Sequence, residues 1–222
     1  MIRQDYIMRM IDQLIKVLAK VLFNKEEGNY EAALGDIETA CKALSGVDYQ
    51  LVNSLTADDI ISLMKRTNEG AKISVKSISI AKLLKAKADI LEASGKENET
   101  SQNDYHKSLV LFLEGILNNQ EPEFDVTKYY DDVNEILNKI PAVEISADIR
   151  FNLFKLYRAS GRYDKAEDEL FRLKDLHFEN IEAEGIEFYN SLGKLDDLEL
   201  AKGNLSREEI TQGLSELKNK KS

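Results

Sequence analysis

The apolar residues near the start of the chain recur at alternating steps of four and three. This stripe consists of Ile7, Ile11, Leu14, Leu18 and Val21. The spacing places them on one face of an α-helix, because residues three and four apart lie on the same side of its axis. Further apolar residues widen the stripe, namely Met10, Ile15, Val17 and Leu22. A stripe this broad is usually buried, so the segment is predicted to be a long helix packed on the rest of the chain.

Later segments also carry the signals of helices. Capping patterns, in which a hydroxyl residue is followed three positions later by an acid, begin predicted helices at Thr56 and at Ser206. Residues 72–80 form the only run with the composition of a β-strand, but a solitary strand has no partner with which to pair. Helix is therefore favoured from about Val75 onward. With a composition rich in Ala, Leu, Lys and Glu, these patterns predict an all-α fold with no sheet.

Two stretches of the sequence share glycine, tyrosine and alanine at the same offsets. One is KEEGNYEAALGDI at residues 25–37, and the other is YRASGRYDKAEDEL at residues 157–170. In a helix-turn-helix unit the glycine ends the first helix in a left-handed conformation, the tyrosine fills the gap between the helices, and the alanine allows a close crossing. These positions are Gly28, Tyr30 and Ala33 in the first copy and Gly161, Tyr163 and Ala166 in the second.

A third, weaker copy lies between these two. Its first helix ends at Gly95, and its second helix continues from Tyr105 with Ser108 at the alanine position. The polar insertion between them, residues 96–104, has the composition of an exposed loop. The sequence therefore predicts helix pairs at about residues 7–45, 75–118 and 146–176, with capping helices at about 180–219. All of them are expected in a single helical-repeat domain that spans residues 1–222.

The residues shared by these copies resemble those of tetratricopeptide repeats, whose unit pairs two helices over about 34 residues. The resemblance implies an irregular array of antiparallel helix pairs in a right-handed α-α superhelix. Neither copy contains the consensus tryptophan, and neither ends in proline at the usual place. Longer stretches, among them LTADDIISLMK and LSREEITQGLSEL, are similar to a family of uncharacterised bacterial proteins known only as tetratricopeptide-like. That likeness implies a bacterial cytoplasmic setting and brings no known activity, cofactor or catalytic residue.

Charge and cysteine usage narrow the classes of partner and compartment. The net charge of −10 and the pI near 4.9 argue against a general nucleic-acid binder, because affinity for phosphate depends on clustered Lys and Arg. Cys41 is the one cysteine, so no internal disulfide can form and a reducing cytoplasm is expected. The N-terminal segment intersperses charges among its apolar residues, which indicates neither a secretory signal nor a membrane span.

Motifs that carry chemistry are missing from the sequence. It contains no phosphate-binding loop, dinucleotide fingerprint, metalloprotease motif or nucleophile elbow. His106 and His177 stand apart from metal-ligand spacings, and Cys41 has no base near it in sequence. Acidic doublets occur at residues 58–59, 131–132 and 196–197, where carboxylates would complement the positive ends of helices. We therefore expect no enzymatic activity, no metal and no cofactor.

The best functional candidates come from position in the array. The first helix of each repeat lines the concave surface of such proteins, where polar residues meet a peptide or a partner protein. Counting from the glycines, this surface receives Lys82, Lys85, Asp89, Asn152, Lys155 and Arg158. The cations among them are suited to hold a peptide carboxylate. The sequence thus predicts a non-enzymatic protein-interaction or scaffolding module whose partner and process it does not identify.

Two other functions stay open at this point. In the first, the chain forms a homodimer through its N-terminal stripe, with Ile7, Ile11, Leu14 and Leu18 in a two-fold contact. In the second, the chain binds a small ligand or substrate in a pocket between helices. That pocket would combine an acidic residue with tyrosines such as Tyr129, Tyr130 and Tyr157.

Overall fold

A computed structural model describes residues 2–66, 73–95 and 99–218, with side chains from Asp5 onward. These residues form twelve α-helices and no strand, which confirms the prediction of an all-α fold. The first seven are α1 (Ile2–Glu26), α2 (Tyr30–Ser45), α3 (Tyr49–Ser54), α4 (Ala57–Arg66), α5 (Ile73–Ala93), α6 (Glu99–Leu117) and α7 (Tyr130–Leu137). The others are α8 (Ala147–Ala159), α9 (Tyr163–Asp175), α10 (Ile181–Leu192), α11 (Asp197–Lys202) and α12 (Arg207–Lys218). Short 3₁₀ helices lie at Val126–Tyr129 and Ala142–Glu144.

The helices group into two compact units. Residues 1–144 form the first unit, with α1 to α7, and residues 145–222 form the second, with α8 to α12. Each unit has its own buried apolar core, centred on Ile78 and Phe112 in the first and on Phe154 and Phe188 in the second. The predicted single domain over residues 1–222 stays a prediction.

In the first unit, two helical hairpins pack side by side. Helices α1 and α2 pack along each other, both contact α5, and α5 packs along α6 over most of its length. The α5–α6 crossing is close because Gly115 of α6 has no side chain. A Cβ atom there would lie 2.6 Å from Ile78 Cγ1 and 2.9 Å from the carbonyl oxygen of Ser74, too near for any larger residue.

The turn residues of the repeats take the conformations expected of them. Gly28, Gly95 and Gly161 all have positive φ angles, between +70° and +73°, and each follows the last turn of a helix. Such a left-handed backbone is costly for a residue with a Cβ atom, which is why glycine recurs at these positions. Ala33 and Ala166, the predicted crossing residues, are fully buried.

The repeat tyrosines connect neighbouring helices. The hydroxyl of Tyr30, at the start of α2, donates a hydrogen bond of 3.1 Å to the carbonyl oxygen of Ala93 at the end of α5. The Tyr163 ring, at the start of α9, packs against the backbone of Gly203 just after α11. Tyr105 is fully buried, and its hydroxyl donates a 2.7 Å hydrogen bond to Asp89 of α5. None of the three rings therefore stands free in solvent.

One expectation about the third copy is wrong. The polar run at residues 96–104 was expected to form an exposed loop, but α6 begins at Glu99, and Ser101 and Asp104 are buried. Residues 96–98 lie outside the described residues. The carboxylate of Asp104 lies 2.8 Å from the ammonium group of Lys87, so this acidic residue of α6 has its partner on α5.

The run with strand-like composition belongs to a helix. Helix α5 begins at Ile73, close to the predicted start near Val75, and its β-branched residues are buried between α2 and α6. Lys72 lies outside the described residues. A helix enclosed by neighbours is apolar around most of its circumference. This burial explains why the sequence of α5 has an apolar composition that is also typical of a strand.

Candidate partner-binding groove

A groove of about 240 Å³ runs between α1 and α5 in the first unit. Its apolar lining comes from Leu18, Val21, Leu22 and Ala86, and its charged lining comes from Lys25, Lys82, Lys85 and Asp89. Four of these residues, Lys82, Lys85, Ala86 and Asp89, belong to α5. The last three follow Lys82 by three, four and seven positions, so all four share one face of that helix. The groove therefore brings together three of the residues predicted for the binding surface, Lys82, Lys85 and Asp89.

The two α5 lysines are already engaged with α7. The ammonium group of Lys82 donates to both carboxylate oxygens of Asp132, at 2.9 and 3.1 Å. Lys85 lies 2.7 Å from Glu135 Oε2 and 3.6 Å from Asp132 Oδ1. Only 24% of the Lys82 side chain and 15% of the Lys85 side chain are exposed. A carboxylate arriving from a peptide would have to compete with these internal acids.

The pKa values of this network favour its charged state. Burial alone would lower the pKa of Lys85, but its hydrogen bond to Glu135 and the charges of Asp89, Asp132 and Glu135 outweigh burial and raise it. The hydrogen bond from Lys85 lowers the pKa of Glu135, and the charges of Lys85 and Lys82 add to this effect. The cluster is thus a set of compensated ion pairs that holds α7 against α5.

Asp89 has a structural partner of its own. It accepts the 2.7 Å hydrogen bond from the buried hydroxyl of Tyr105 and lies 3.7 Å from the ammonium group of Lys85. Burial, followed by the hydrogen bond to Asp89, raises the pKa of Tyr105 far above its usual value, so the hydroxyl remains a donor. Asp89 is therefore occupied in joining α5 to α6.

The accessible part of the groove is its α1 wall. Leu22 is 53% exposed, and Leu18 is half-buried beside it. Lys25 is half-buried one turn further along α1, and no described acidic side chain pairs with it. The groove thus offers an open apolar edge next to one uncompensated positive charge. An apolar side chain followed by an acidic group has the chemistry that fits this edge.

The other predicted binding residues belong to the second unit. Lys155 is exposed, with its ammonium group 4.8 Å from the centre of the Phe151 ring. Arg158 donates a 2.8 Å hydrogen bond to Glu187 of α10, and Asn152 is half-buried on α8. Their sharing of one concave surface with Lys82, Lys85 and Asp89 of the first unit stays a prediction.

The N-terminal stripe divides between core and surface. Ile7 and Leu14 are 6% and 4% exposed, so these two members of the predicted self-association contact are core residues of the first unit. Their burial against the unit's own helices leaves them unavailable to a second copy. Ile11 and Leu18 are half-buried at the edge of α1. The exposed apolar residues of this helix lie on a neighbouring row that sequence reasoning did not single out.

The remaining candidates have structural surroundings. His106 Nε2 lies 3.0 Å from the carbonyl oxygen of Glu144, and His177 occupies a turn after α9 with a φ of +54°. Burial raises the pKa of the Cys41 thiol to about 11, so it carries little reactive thiolate. The acidic doublets lie at the starts of α4, α7 and α11, as their sequence positions predict. Among the described residues, no cluster of His, Cys, Asp and Glu could hold a metal ion.

The tyrosines considered for a ligand pocket have ring contacts within their own units. The ring of Tyr129 packs 6.2 Å from the Phe112 ring and 5.8 Å from the Phe124 ring, and Tyr130 starts α7. Tyr157 is buried in the second unit, where Lys165 lies 5.5 Å above its ring. A ligand pocket built from these tyrosines stays a prediction.

A larger cleft of about 610 Å³ lies in the second unit, beside the turn between α11 and α12. Its polar lining serves that turn: Arg207 pairs with Asp197, and the Ser206 and Glu209 groups bond each other's backbone amides. These side chains are occupied in ending one helix and starting the next. This cleft is therefore not the better candidate site despite its larger volume. The groove between α1 and α5 remains the candidate.

Comparisons with known proteins give one match. The model of a family of unknown function, DUF6483, matches residues 1–222. Comparisons with curated proteins and with solved structures found no match. None of the helices in the described part of the chain has both the length and the apolar character needed to cross a bilayer.

Proposed function

We propose, for a chain that belongs to this family of unknown function, that it is a non-enzymatic protein-interaction module. In this proposal a peptide or helix of a partner protein binds the groove between α1 and α5. The observation that carries the proposal is the open edge of that groove, where the exposed side chain of Leu22 lies beside the uncompensated charge of Lys25. An apolar anchor next to one charge is a common recognition element of helical grooves.

The proposal includes the architecture that would present this groove. In it, the hairpins α1–α2, α5–α6 and α8–α9 are tetratricopeptide-like units of a right-handed α-α superhelix. Supporting it are the left-handed glycines at equivalent positions, the tyrosines that join neighbouring helices, and the contact of α1 with α5. In such arrays the first helices of successive units form the binding surface, and α1 and α5 occupy that position.

The proposal also gives distinct roles to the three lysines of the groove. Lys82 and Lys85 fix α7 against α5 through Asp132, which gives the groove a rigid floor. Lys25 is the cation that meets the partner, because no acidic side chain in the described part of the chain pairs with it. The net charge of −10 argues against nucleic acid as the partner, and the buried Cys41 thiol is compatible with the bacterial cytoplasm as the setting.

Affinity capture from the source cells tests this proposal. The whole protein, its Lys25→Glu variant and its Lys194→Glu variant are used as baits, and quantitative mass spectrometry compares the proteins retained. Lys194 is exposed in the second unit, so its reversal makes the same charge change away from the groove. We expect at least one protein to be retained by the wild type and by Lys194→Glu, and to fall about tenfold with Lys25→Glu.

A second substitution separates charge from apolar contact. Leu22→Lys should also reduce capture, because it places a charge on the apolar edge of the groove. Both groove residues lie at the surface, so the melting temperatures of the variants should stay close to that of the wild type. Equal capture by all four baits would refute the groove as the binding site.

A further inference from the structure

Helix α1 exposes a second apolar row besides the one it buries. Met8, Ile15 and Leu22 recur at every seventh residue and are 49%, 58% and 53% exposed. Phe23, which is 61% exposed, lies about 100° around the helix from Leu22 and widens the exposed apolar surface at the end of this row. Residues seven apart on a helix lie almost directly above one another, so these side chains form a continuous line. We call Met8, Ile15, Leu22 and Phe23 the outer row.

We infer that the outer row is the contact surface for a second copy of this chain, in which two α1 helices pack antiparallel about a two-fold axis near Ile15. The spacing of the row supports this arrangement. Met8 and Leu22 are equally far from Ile15, so inversion of the helix places Met8 opposite Leu22 of the second copy and Ile15 opposite its own counterpart. Such a contact is self-complementary, as a two-fold interface requires.

The area of the row agrees with a weak but specific dimer. Four large apolar side chains, each about half exposed, present on the order of 400 Å² of apolar surface. Covering the rows of both copies and their polar flanks buries on the order of 1,000 Å² in total, which is the lower limit for a biological interface. We therefore expect a dimer that forms at micromolar concentrations.

Charges beside the row favour the antiparallel direction. Asp12 and Lys16 are both exposed on the flank of α1 that faces away from the core of the first unit. In an antiparallel pair about Ile15, Asp12 of one copy and Lys16 of the other are offset by only about 3 Å along the axis, on the same side of the contact. In a parallel pair, the flank that carries Asp12 and Lys16 would instead lie on the same side of the contact as the buried row of the partner's α1. Two opposite-charge pairs thus flank the antiparallel contact, and they outnumber the one like-charge pair between the two Lys16 residues, which has the same axial offset of about 3 Å.

The centre of the proposed dimer contact, at Ile15, lies outside the proposed partner groove. The groove uses Leu18, Leu22 and Lys25 at the C-terminal end of α1, whereas Met8 and Ile15 lie outside it. Substitutions at Ile15 therefore test self-association, and substitutions at Lys25 test partner binding. The two tests can fail separately.

Sedimentation velocity of the whole protein, over concentrations from one to a hundred micromolar, tests the dimer. We expect a concentration-dependent rise from monomer to dimer in the wild type, and Ile15→Glu should weaken dimer formation about tenfold or more. Leu198→Glu is the matched control, because it makes the same kind of change at an exposed leucine of the second unit. Both substitutions are at the surface, so circular dichroism should show the wild-type helix content.

A charge exchange tests the direction of packing. Asp12→Lys and Lys16→Asp should each weaken the dimer, and the double variant should restore it, since exchange re-forms both pairs. A wild-type chain that stays monomeric at a hundred micromolar would overturn the inference. So would a dimer that Ile15→Glu leaves intact, or a monomer whose outer row is covered only by a different protein. A dimer that the double exchange fails to restore would overturn the antiparallel arrangement.

Discussion

Replacing Gly203 by alanine tests the wedge of Tyr163 between the helices of the second unit. A Cβ atom on Gly203 would lie 2.0 Å from Cδ2 of the Tyr163 ring and 2.8 Å from the carbonyl oxygen of Gly161. Carbon atoms in contact normally lie about 3.5–4.0 Å apart, so the ring would have to move by about 1.5 Å. The backbone on the other side of the Cβ atom limits any relief. The φ of Gly203 is −85°, so backbone strain adds nothing to this effect.

Overpacking of this kind destabilises a folded protein by about 1–3 kcal/mol. We expect Gly203→Ala to lie near the upper end, because the new methyl group would lie too close both to the Tyr163 ring and to a backbone carbonyl oxygen. The measurement is the free energy of unfolding from urea titrations followed by circular dichroism. Hydrogen exchange of peptides from α9 and α11 should show the loss of protection within the second unit.

Two other glycines provide matched controls. Gly193, at the end of α10, would place its Cβ atom 3.6 Å from the nearest backbone oxygen, which is an ordinary contact. Gly35, within α2, has open space around it. Alanine at these positions should be neutral or stabilise the protein by up to about 1 kcal/mol.

Removal of the ring should reduce the effect. In a Tyr163→Ala background only the contact with the Gly161 carbonyl oxygen remains, so Gly203→Ala should cost about 1 kcal/mol, giving a coupling of about 1–2 kcal/mol between the two sites. If Gly203→Ala behaves like Gly193→Ala, or if its loss is undiminished without the Tyr163 ring, the tyrosine is not wedged as described.

Two further predictions concern a repeat turn and a buried tyrosine. Gly28→Ala should destabilise the protein by about 1–2 kcal/mol, because its φ of +73° is unfavourable for a residue with a Cβ atom; a change in urea midpoint no larger than for Gly35→Ala would contradict this. Burial raises the pKa of Tyr157 to about 12, above the value near 10 in the unfolded chain. The stability that the neutral Tyr157 hydroxyl contributes is therefore fully present below pH 10. As the pH rises to about 12, the free energy of unfolding falls by about 2 kcal/mol. For the Tyr157→Phe variant, urea titrations across this pH range should show a correspondingly smaller fall in the free energy of unfolding.

Local patterns predicted the helices and the turns of the repeats. Glycine is the residue that tolerates a left-handed backbone most readily, so Gly28 and Gly161 marked helix ends correctly. The start of α6 could not be predicted in the same way. Its polar residues resemble a loop, but α6 packs along α5 there, and the buried carboxylate of Asp104 pairs with Lys87 of α5. That partner lies on another helix, so no local pattern contains the information.

The orientation of α1 shows a second limit of sequence reasoning. Residues 7, 14 and 21 and residues 8, 15 and 22 form two apolar rows with the same spacing, and Ile11 and Leu18 lie between them. The contact with α2 selects the row that is buried. At that contact Asp36 of α2 accepts hydrogen bonds from Lys20 at 2.6 Å and from Asn24 at 2.8 Å, and the first row is buried in the core. Helical periodicity alone cannot make that choice.

The charges of the groove show the same limit of sequence reasoning. Spacing placed Lys82 and Lys85 on one face of α5, and the structure confirms that they line one groove. Their neutralisation by Asp132 depends on the docking of a helix some fifty residues later in the chain. Sequence reasoning therefore placed the two lysines on one face of α5, but it could not predict that α7 neutralises them.

Leu22 links the two proposals, because it belongs both to the groove and to the outer row. In the proposed dimer Leu22 is covered by the second copy, so a partner that needs this side chain must bind the monomer. Such linkage is reciprocal: the partner weakens the dimer by the same factor by which dimer formation weakens partner binding. At bait concentrations where the wild type is largely dimeric, the monomeric Ile15→Glu variant should therefore capture more partner than the wild type. Dilution of both baits into the monomer range should remove the difference. Equal capture by both baits at the higher concentration would show that the two surfaces act independently, and a difference that persists on dilution would show that Ile15→Glu does not act through the dimer.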